Sequence, residues 1–397
     1  MKKLFYVLFF SLFLLSCTEQ ECSYLNTPTY CQIADTVYRD YGLSLRRFSN
    51  AFPEGGSLCF DPLCLHDGIC PESIAVYHTV TDGKHLYVRS NAYLFDGRGH
   101  RYQQTVEENG SHYQMAALYK IDLSEGSIEK LVEFSTANGT VTGVSTDGTY
   151  LYYVEAKYKI MGEDGDSYGI PMRVPCKGGE AEPFLDGEWS AFAEIYADAD
   201  HYYVTDDGVF TVIDRKNGSV TTAQIPAVYT DGIIIHHGTV YLYGAAETIP
   251  YQINTAFLFS RDALWKWNGE TFDCVIPDID MLVWDTDGVW YTKMMAEEDF
   301  VHVGTAESYD GKGMSPYDFI RTTTGALYYH DFSTDAETAY ILDNVNVKVE
   351  PIGAAGGYII AACNDMDKLQ FSYEYKNLKP EKDGTISIQD AIRGEND

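Results

Sequence analysis

The sequence predicts an all-β fold, a β-propeller of about seven four-stranded blades, because a turn-and-strand unit recurs along the chain. Residues 146–153 form a tight Asp147-Gly148 turn followed by an aromatic strand, and residues 81–88 repeat this pattern. Asp-Gly favours hairpin turns because glycine tolerates positive φ, while Tyr, Val and Leu favour strands. Looser copies begin near Asp200, Gly238, Gly288, Gly325 and Gly357. The spacing averages about 46 residues, within the roughly 40–50 residues of a blade.

A second strand–turn–strand pair follows most of these units and supplies the outer half of each blade. This pair recurs at residues 117–134, 171–182, 209–220 and 264–272. Residues 171–182, Pro-Met-Arg-Val-Pro-Cys-Lys-Gly-Gly-Glu-Ala-Glu, resemble the outer-strand turn of TolB-like and LDL-receptor-like propeller repeats. That resemblance implies the same fold that the spacing predicts.

Residues 73–378 are assigned to the propeller, with about seven blades as the preferred count. About six blades result if the copies near Gly325 and Gly357 share one blade. About eight result if the amino-terminal segment contributes strands. Residues 379–397 form a polar tail, in which residues 385–388 are a candidate closing strand.

The amino terminus has the pattern of a bacterial lipoprotein signal. Lys2 and Lys3 precede an apolar run at residues 4–15, which is too short to span a bilayer and leads into Leu-Ser-Cys17. This ending resembles the lipobox. The resemblance implies that residues 1–16 are a signal peptide and that Cys17 carries palmitate or a similar acyl chain. The protein would then be extracytoplasmic and anchored to the membrane by lipid. The alternative is an ordinary secretory signal with an incidental cysteine.

The composition is that of a folded, strongly acidic protein. The chain has 397 residues, is 45% hydrophobic, and carries 59 acidic against 28 basic residues, a net charge of −31. Such a charge argues against a nucleic-acid partner, whose phosphates it would repel. It also argues against a polybasic contact with anionic lipid. Its meaning is solubility or, alternatively, attraction to cations and basic partners.

Residues 17–72 are predicted to form a lipidated tether and a Cys-rich segment, with one helix at residues 35–45. Four residues of this segment have the spacing Cys-x4-Cys-x-His-x3-Cys: Cys59, Cys64, His66 and Cys70. Extracytoplasmic cysteines usually form disulfides, so a disulfide staple is favoured. The alternatives are a zinc site of three thiolates and one imidazole, or free thiols. The element resembles one that precedes the propeller in lipoproteins of anaerobic bacteria, which implies fold and location but almost no function.

Searches for catalytic motifs are negative. The sequence has no Gly-x-Ser-x-Gly elbow, phosphate loop, Rossmann fingerprint or His-Glu-x-x-His pair, so no cofactor is predicted. His236 and His237 should point to opposite faces of a strand, which makes a poor joint metal site. Residues 163–167 and 278–280 are acidic but lack the calcium-loop pattern. Four tryptophans are assigned to the core rather than to sugar stacking: Trp265, Trp267, Trp284 and Trp290.

The longest insertion, residues 95–113, is the candidate ligand-binding loop. It holds a basic and aromatic cluster within an acidic protein: Arg98, His100, Arg101, Tyr102, His112 and Tyr113. Loops held by a rigid scaffold often bind ligands, so the cluster predicts contact with an unknown protein or glycan. The alternative is a solvated loop without a partner.

Three functions fit these features, and a non-enzymatic binding or scaffolding lipoprotein is favoured. The second is a carbohydrate-active hydrolase or lyase. The third is a partner in an envelope assembly complex, by fold-level analogy alone. Three or more acids converging at the mouth of the central channel would favour the second function, because glycoside chemistry uses paired carboxylates.

Overall fold

The computed structural model is all-β. Among the described residues no segment is helical, so none of them forms a helix long and apolar enough to cross a bilayer. The structure describes residues 24–27, 30–41, 44–49, 52–53, 55–59, 70–72, 74–95, 101–103, 105–108, 111–135, 140–157, 168–250, 258–296, 301–305, 318–321, 326–341, 347–365 and 374–389.

The strands form antiparallel sheets that follow one another along the chain, and the four main strands of each sheet are joined as a meander. Blade 1 has strands β1 (Tyr24–Asn26), β2 (Tyr30–Ile33), β3 (Thr36–Tyr41) and β4 (Ser44–Phe48). Blade 2 has β5 (Ile74–Thr81), β6 (His85–Phe95), β7 (Arg101–Gln103), β8 (Thr105–Glu108), β9 (Ser111–Asp122) and β10 (Ile128–Ser135), with β7 and β8 outside the main order. Blade 3 has β11 (Thr140–Thr146), β12 (Tyr150–Lys157), β13 (Tyr168–Pro175), β14 (Glu182–Pro183) and the side strand β15 (Trp189–Ser190).

The remaining strands form four more blades. Blade 4 has β16 (Glu194–Ala197), β17 (His201–Asp206), β18 (Val209–Asp214) and β19 (Val220–Gln224). Blades 5 and 6 share one sheet, which begins with β20 (Tyr229–His236), β21 (Thr239–Pro250), β22 (Leu258–Trp267), β23 (Phe272–Trp284) and β24 (Gly288–Lys293). The next two strands, β25 (Val301–Thr305) and β26 (Asp318–Arg321), form a separate pair. The shared sheet then ends with β27 (Ala326–Asp331) and β28 (Ala336–Ile341). Blade 7 has β29 (Val347–Ala355), β30 (Tyr358–Asp365), β31 (Glu374–Pro380) and β32 (Ile386–Gln389).

Strand β23 belongs to both blade 5 and blade 6. Its first half pairs with β22, and its second half pairs with β24 from Ile279↔Lys293 to Trp284↔Val289. The long sheet is therefore two four-stranded blades joined by one continuous strand. With this division, the described residues make seven blades.

The blades close into a ring because the last one packs against the first. Neighbouring blades contact each other through β5 and β11, through β11 and β16, and through β23 and β29. At the closure β29 contacts β3, and an Arg39 nitrogen lies 3.4 Å from the Ile352 carbonyl oxygen. A Cβ added to Gly353 would lie 2.7 Å from the Val37 side chain, so the two blades are in close contact. A closed ring of four-stranded antiparallel blades is a β-propeller, which confirms the predicted fold class.

The amino-terminal region differs from the sequence expectation. The helix predicted at residues 35–45 is wrong, because β3 and β4 occupy that stretch. Thr, Val and Tyr in β3 favour extended backbone, and Val37 and Leu45 are fully buried between blades. Blade 1 thus lies within residues 17–72, the predicted tether and Cys-rich segment, and the ring begins before residue 73.

The repeat near residue 325 is not a separate blade. It leads into β27, which pairs with β24 inside blade 6. The count of seven holds because blade 1 replaces this unit. At the other end of the chain, β32 lies at the predicted closing strand and pairs with β31.

A carboxylate closes the turn after the first strand of several blades. The Oδ1 atom of Asp147 accepts the backbone N–H groups of Thr149 and Tyr150 at 2.8 and 2.9 Å. Its Oδ2 atom accepts the Tyr152 hydroxyl at 2.7 Å. Gly148 in this turn has a φ of +82°, which glycine tolerates at no steric cost. The aspartate-to-aromatic bond recurs in three other blades: Asp82 with Tyr87, Asp198 with Tyr203, and Asp285 with Trp290. The Asp-Gly repeat therefore reflects a structural clip.

The insertion at residues 95–113 contains paired backbone. Phe95 at the end of β6 pairs with Arg101 in β7, and Glu108 in β8 pairs with Ser111 at the start of β9. Much of the candidate ligand-binding loop is thus a strand extension of blade 2. These strands contain Tyr102, Thr105, Val106 and Tyr113, residue types that favour antiparallel strand pairing.

Candidate functional site

A cavity of about 540 Å³ occupies the centre of the ring. Its walls come from β1, β5, β11, β16 and β20, the first strands of blades 1 to 5. The first strands of neighbouring blades contact one another, so they line the central channel. Strand β1 also contacts β20, so blade 1 reaches across the channel and forms one wall of the cavity.

The cavity wall is chemically mixed. Val80, Val144 and Ile233 give apolar surface, while Asn26 and Thr146 give polar groups. Such a mixture of apolar walls and a few polar groups is typical of small-molecule sites.

Among the described residues of the lining, the one arginine or lysine is Arg215, and it is already engaged. The Nη1 atom of Arg215 donates to Oδ2 of Asp147 at 2.9 Å and also to the carbonyl oxygen of Asp198. Its guanidinium also lies 4.8 Å from the centre of the Tyr202 ring. Arg215 therefore joins blades 3 and 4 at the cavity and holds the Asp147 clip in place.

A register shift interrupts the first strand of five blades: β5, β11, β20, the second half of β23, and β29. These shifts leave one residue of each strand outside the ladder, in addition to Ala75 in β5: Tyr77, Gly143, Asp231, Asp280 and Ile352. Bulges redirect side chains and are common next to binding sites. Two of these bulge residues are aspartates, Asp231 and Asp280, on the adjacent blades 5 and 6.

Four carboxylates lie within electrostatic reach of Asp231 or of Tyr243 beside these bulges, and we call this group the acidic mouth: Glu194, Asp231, Asp262 and Asp280. Glu194 begins β16, next to the bulge in blade 3, where a Cβ on Gly143 would lie 3.2 Å from the Glu194 side chain. Asp231 is affected by the charges of Asp262 and Glu194.

Burial and mutual repulsion change the acidity of this group. Loss of solvation, together with the charges of Asp262 and Glu194, raises the pKa of Asp231 to about 6 although its side chain reaches solvent. Burial also raises the pKa of Glu194 and of Asp262. Hydrogen bonds offset part of this effect, because Tyr196 donates to Glu194 at 2.8 Å and Tyr243 donates to Asp262 at 2.8 Å.

The Tyr196 side chain connects the acidic mouth to the cavity. The Tyr196 ring lines the cavity while its hydroxyl is bonded to Glu194. His78 lies on β5 and also lines the cavity. Burial together with the charge of Arg89 lowers its pKa to about 4. His78 is therefore neutral at physiological pH. The charge of Arg89 offsets part of the rise that burial causes in the pKa of Glu194, so blades 2 and 4 are electrostatically coupled here.

The predicted site residues fall in different places. Cys17, Cys64, His66, Arg98 and His100 lie outside the described residues. Arg101 and Tyr102 lie in β7, and His112 and Tyr113 lie in β9. Lipidation, the Cys59–Cys70 element and the ligand-binding role of this cluster therefore stay predictions. Outside that element, Cys31 and Cys176 are buried free thiols and Cys274 is an exposed one.

The His236 and His237 prediction is wrong in its geometry. Their Nε2 atoms lie 2.9 and 3.1 Å from the same carbonyl oxygen, that of Thr286. The two rings converge because His237 sits in the turn with a φ of +48° rather than in the strand. The acidic stretch 278–280 is also divided, since Asp278 pairs with Arg261 at 2.9 Å. Across the described ranges, no three His, Cys, Asp or Glu side chains are grouped closely enough to hold a metal ion.

The core assignment of the tryptophans is confirmed. Trp265, Trp284 and Trp290 are buried, and Trp267 packs edge-on against Phe210.

The sequence did not single out the acidic mouth. The dipeptide Asp231-Gly232 is typical of a hairpin turn but lies at a bulge within β20. Asp262 is an acid within a strand, and convergence of acids from three blades is a property of the folded ring. The detectable signal was an acid beside the apolar run Ile233-Ile234-Ile235.

No protein-family model and no curated protein matches the chain. Among solved structures, the β-propeller domain of the Trilobed protease from Pyrococcus furiosus is 12% identical with a TM-score of 0.45, covering 80% of this chain and 83% of that one. TolB from Acinetobacter baumannii is 12% identical with a TM-score of 0.37, covering 79% of this chain and 61% of that one. Oligogalacturonate lyase from Vibrio parahaemolyticus is 11% identical with a TM-score of 0.40, covering 92% and 100%. Likeness of this degree carries no functional inference, and the fold assignment rests on the sheet topology.

Proposed function

We propose that the protein is a membrane-anchored, extracytoplasmic binding module that holds a small polar ligand in the central channel of its propeller. The observation that carries this proposal is the cavity of about 540 Å³, whose walls come from five blades. A site of that size falls within the roughly 300–1,000 Å³ of small-molecule pockets. The lipobox-like ending at Cys17 supports the location and the anchor.

Binding is favoured over catalysis because the polar groups at the cavity have structural partners. Asp147 accepts bonds from its turn, from Tyr152 and from Arg215, and Asp198 is occupied in the same way by its own turn and Tyr203. Neutral, buried His78 is a weak general base, because efficient bases have a pKa near the working pH.

A carbohydrate-active enzyme is the second candidate, and the acidic mouth is the observation that favours it. Asp231 has a pKa of about 6 and a neighbouring carboxylate on β16, Glu194. One protonated and one ionised carboxyl group are the requirement for glycoside hydrolysis. Release of reducing ends from envelope polysaccharide by the purified protein would establish this function instead.

The cavity is tested by filling it from an exposed position. Ala199 lies on the turn after β16, is exposed, and lines the cavity. Ala199→Trp should abolish capture of ligand from labelled envelope and polysaccharide fractions while leaving the melting temperature nearly unchanged. Lys177→Trp, at an exposed turn of blade 3, is the matched control and should capture normally. Equal capture by the Ala199→Trp variant would place the ligand elsewhere.

The cluster at residues 95–113 offers a separate location for the ligand. Deleting residues 96–112 removes β7 and β8, which lie outside the main strand order of blade 2. Loss of capture in this deletion, with normal capture by Ala199→Trp, would assign the ligand to the blade 2 extension.

A further inference from the structure

The turn at His236 and His237, which we call the histidine turn, borders a second cavity that the proposed function does not use. This cavity has a volume of about 90 Å³ and lies between blade 1, blade 5 and the turn that joins β23 to β24. Besides the two histidines, Gln32 of β2 and Thr286 line it. Ile235 contributes to the walls of both cavities, so the smaller one adjoins the central cavity.

The backbone of the histidine turn brings its two imidazole rings together. His237 and Gly238 have φ angles of +48° and +73° and form a two-residue hairpin turn between β20 and β21. A positive φ is uncommon for a residue other than glycine. In a regular strand the two side chains would point to opposite faces. Here the ring centres of His236 and His237 are 4.3 Å apart, with the ring planes at 71°.

Both Nε2 atoms of the histidine turn are directed at one oxygen atom. They lie 2.9 and 3.1 Å from the carbonyl oxygen of Thr286. Metal–ligand bonds of about 2.0–2.1 Å would make each of these nitrogen–oxygen pairs subtend roughly 90° at a bound metal. A tetrahedral zinc site would hold the same atoms about 3.4 Å apart. Right angles between nitrogen and oxygen ligands are typical of tetragonal Ni²⁺ and Cu²⁺ sites.

A buried amide oxygen at the same cavity is an independent sign of a ligand. Gln32 is 5% exposed, and its Nε2 atom donates to the carbonyl oxygen of Ala34 at 2.9 Å. Its Oε1 atom is buried and, among the described residues, has no hydrogen-bond partner. Buried polar atoms are usually satisfied by the protein, by a ligand or by water. Because Gln32 lines the cavity together with both imidazoles, a cation held there would satisfy this oxygen.

The histidine turn is rich in acceptors and poor in donors. Burial and the neighbouring His237 lower the pKa of His236, so its ring is neutral at pH 7 and carries one N–H. The carbonyl groups of Thr286 and Asp285 both act on this ring as acceptors. A histidine that binds a metal through Nε2 keeps its proton on Nδ1 and usually donates it to a carbonyl or carboxylate group. The charge of Asp287 also acts on His236 and favours a cation there.

From these observations we infer that the histidine turn binds a divalent transition-metal cation of the Ni²⁺ or Cu²⁺ type, a site that does not depend on the proposed function. The ligands are the Nε2 atoms of His236 and His237, the carbonyl oxygen of Thr286 and the Oε1 atom of Gln32. Imidazole nitrogen suits such metals. This set does not require the group of three His, Cys, Asp or Glu side chains that the described residues lack. His237 is exposed, which gives the cation a path from solvent.

Calorimetric titration of the full-length mature protein with Ni²⁺ at neutral pH tests this inference. The wild type should bind Ni²⁺, and Mg²⁺, which prefers oxygen ligands, should not displace it. His237→Asn should weaken binding at this site at least tenfold, because asparagine tolerates a positive φ but removes one imidazole. His201→Asn, at a partly exposed histidine of blade 4, is the matched control and should bind normally. Absence of Ni²⁺ binding, as for a cavity that holds only water, or unchanged binding by His237→Asn would overturn the inference.

Two further variants test the ligand set and the independence of the site. Gln32→Glu should tighten Ni²⁺ binding at least tenfold, because a charged oxygen replaces a neutral one. Unchanged affinity in this variant would remove Gln32 from the ligands and overturn the site as described. Ala199→Trp, which fills the central cavity, should still bind Ni²⁺. Loss of Ni²⁺ binding in Ala199→Trp would place the metal in the central cavity and overturn the inference, whereas normal ligand capture by this variant would contradict only the proposed function.

Electron paramagnetic resonance of bound Cu²⁺ identifies the nitrogen ligands directly. The wild type should show coupling to two imidazole nitrogens, and His237→Asn should show coupling to one. The same spectrum for both proteins would assign the metal to other residues and overturn the inference.

Discussion

Asp147 and Asp231 carry the same side chain in opposite electrostatic environments. Asp147 accepts bonds from two backbone amides, one hydroxyl and one guanidinium, and these bonds outweigh burial and lower its pKa. Burial and the like charges of Asp262 and Glu194 raise the pKa of Asp231 to about 6. Local hydrogen bonds make the first a structural clip, whereas burial and like charges make the second a weaker acid. The sequence identified the Asp147 turn because three of its partners, Thr149, Tyr150 and Tyr152, lie within five residues along the chain.

Replacing Asp147 with Ala should destabilise the protein by about 2–4 kcal/mol, because Arg215 and the Tyr152 hydroxyl lose their acceptor together. Tyr152→Phe, which removes one of these bonds, should cost about 1 kcal/mol. Urea unfolding at neutral pH measures both free energies.

The pKa of Asp147 is lowered, so its contribution is complete above the unfolded value of 3.8 and is lost as the pH falls through the folded value. The difference between wild type and Asp147→Ala should therefore shrink below about pH 4. Equal losses for Asp147→Ala and Tyr152→Phe would contradict the role of Arg215.

Asp231→Asn should stabilise the protein at pH 8. The folded-state pKa is raised from 3.8 to about 6, so the folded state binds the proton more tightly and the charged form is unfavourable above pH 6. The gain should be at most about 1 kcal/mol, because the side chain reaches solvent and is screened. It should decline from pH 6 to pH 4 and vanish below. Urea unfolding across this range measures it, and a variant less stable than wild type at pH 8 would contradict the assignment.

At the scale of elements, the sequence predicted the strands well and the interruptions in them poorly. The hairpin repeats at residues 81–88 and 146–153 led directly to β6 and β12. A bulge leaves no local pattern of this kind, because it depends on the partner strand. The helix at residues 35–45 failed for a related reason. The residues of this stretch favour a strand, but the spacing of its apolar side chains also fits a helix. Pairing with β2 determines that the stretch is a strand.

Tyr30 tests the attachment of blade 1. Its hydroxyl accepts the Trp284 backbone N–H at 2.6 Å and donates to the Trp284 carbonyl oxygen at 3.1 Å, across 254 residues of sequence. Tyr30→Phe should cost about 1–3 kcal/mol, because both buried backbone groups lose their partner. Tyr168→Phe, at an exposed position, is the matched control. Thermal unfolding measures both, and equal melting temperatures for the two variants would show that the contact contributes little.

At the scale of the whole molecule, the sequence predicted the ring but not its closure. Spacing alone suggested about seven blades, whereas the seventh comes from β1 to β4, before the recognisable repeats. The contact of Val37 with Gly353 joins residues at opposite ends of the chain, and no local pattern marks it. The cavity could not be predicted either, since its walls come from five blades.

Cys17→Ala should release the protein from the membrane fraction, because the lipid is the proposed anchor. Cys274→Ala, which removes an exposed free thiol, is the control and should stay membrane-bound. Fractionation and labelled palmitate incorporation measure the outcome. A wild-type protein that never incorporates palmitate would contradict the anchor.

The shared strand β23 has a mechanical consequence. Because one continuous backbone serves blades 5 and 6, we expect these two blades to move as one rigid unit, whereas blades 1 and 7 meet through packing of the Val37 side chain against Gly353. If the ring opens to admit a ligand, we expect it to open between blades 1 and 7. The separation of Asp231 and Asp280 would then stay unchanged. Hydrogen exchange should accordingly be slowest for the amides of Leu282 and Val283 and faster along β3 and β29.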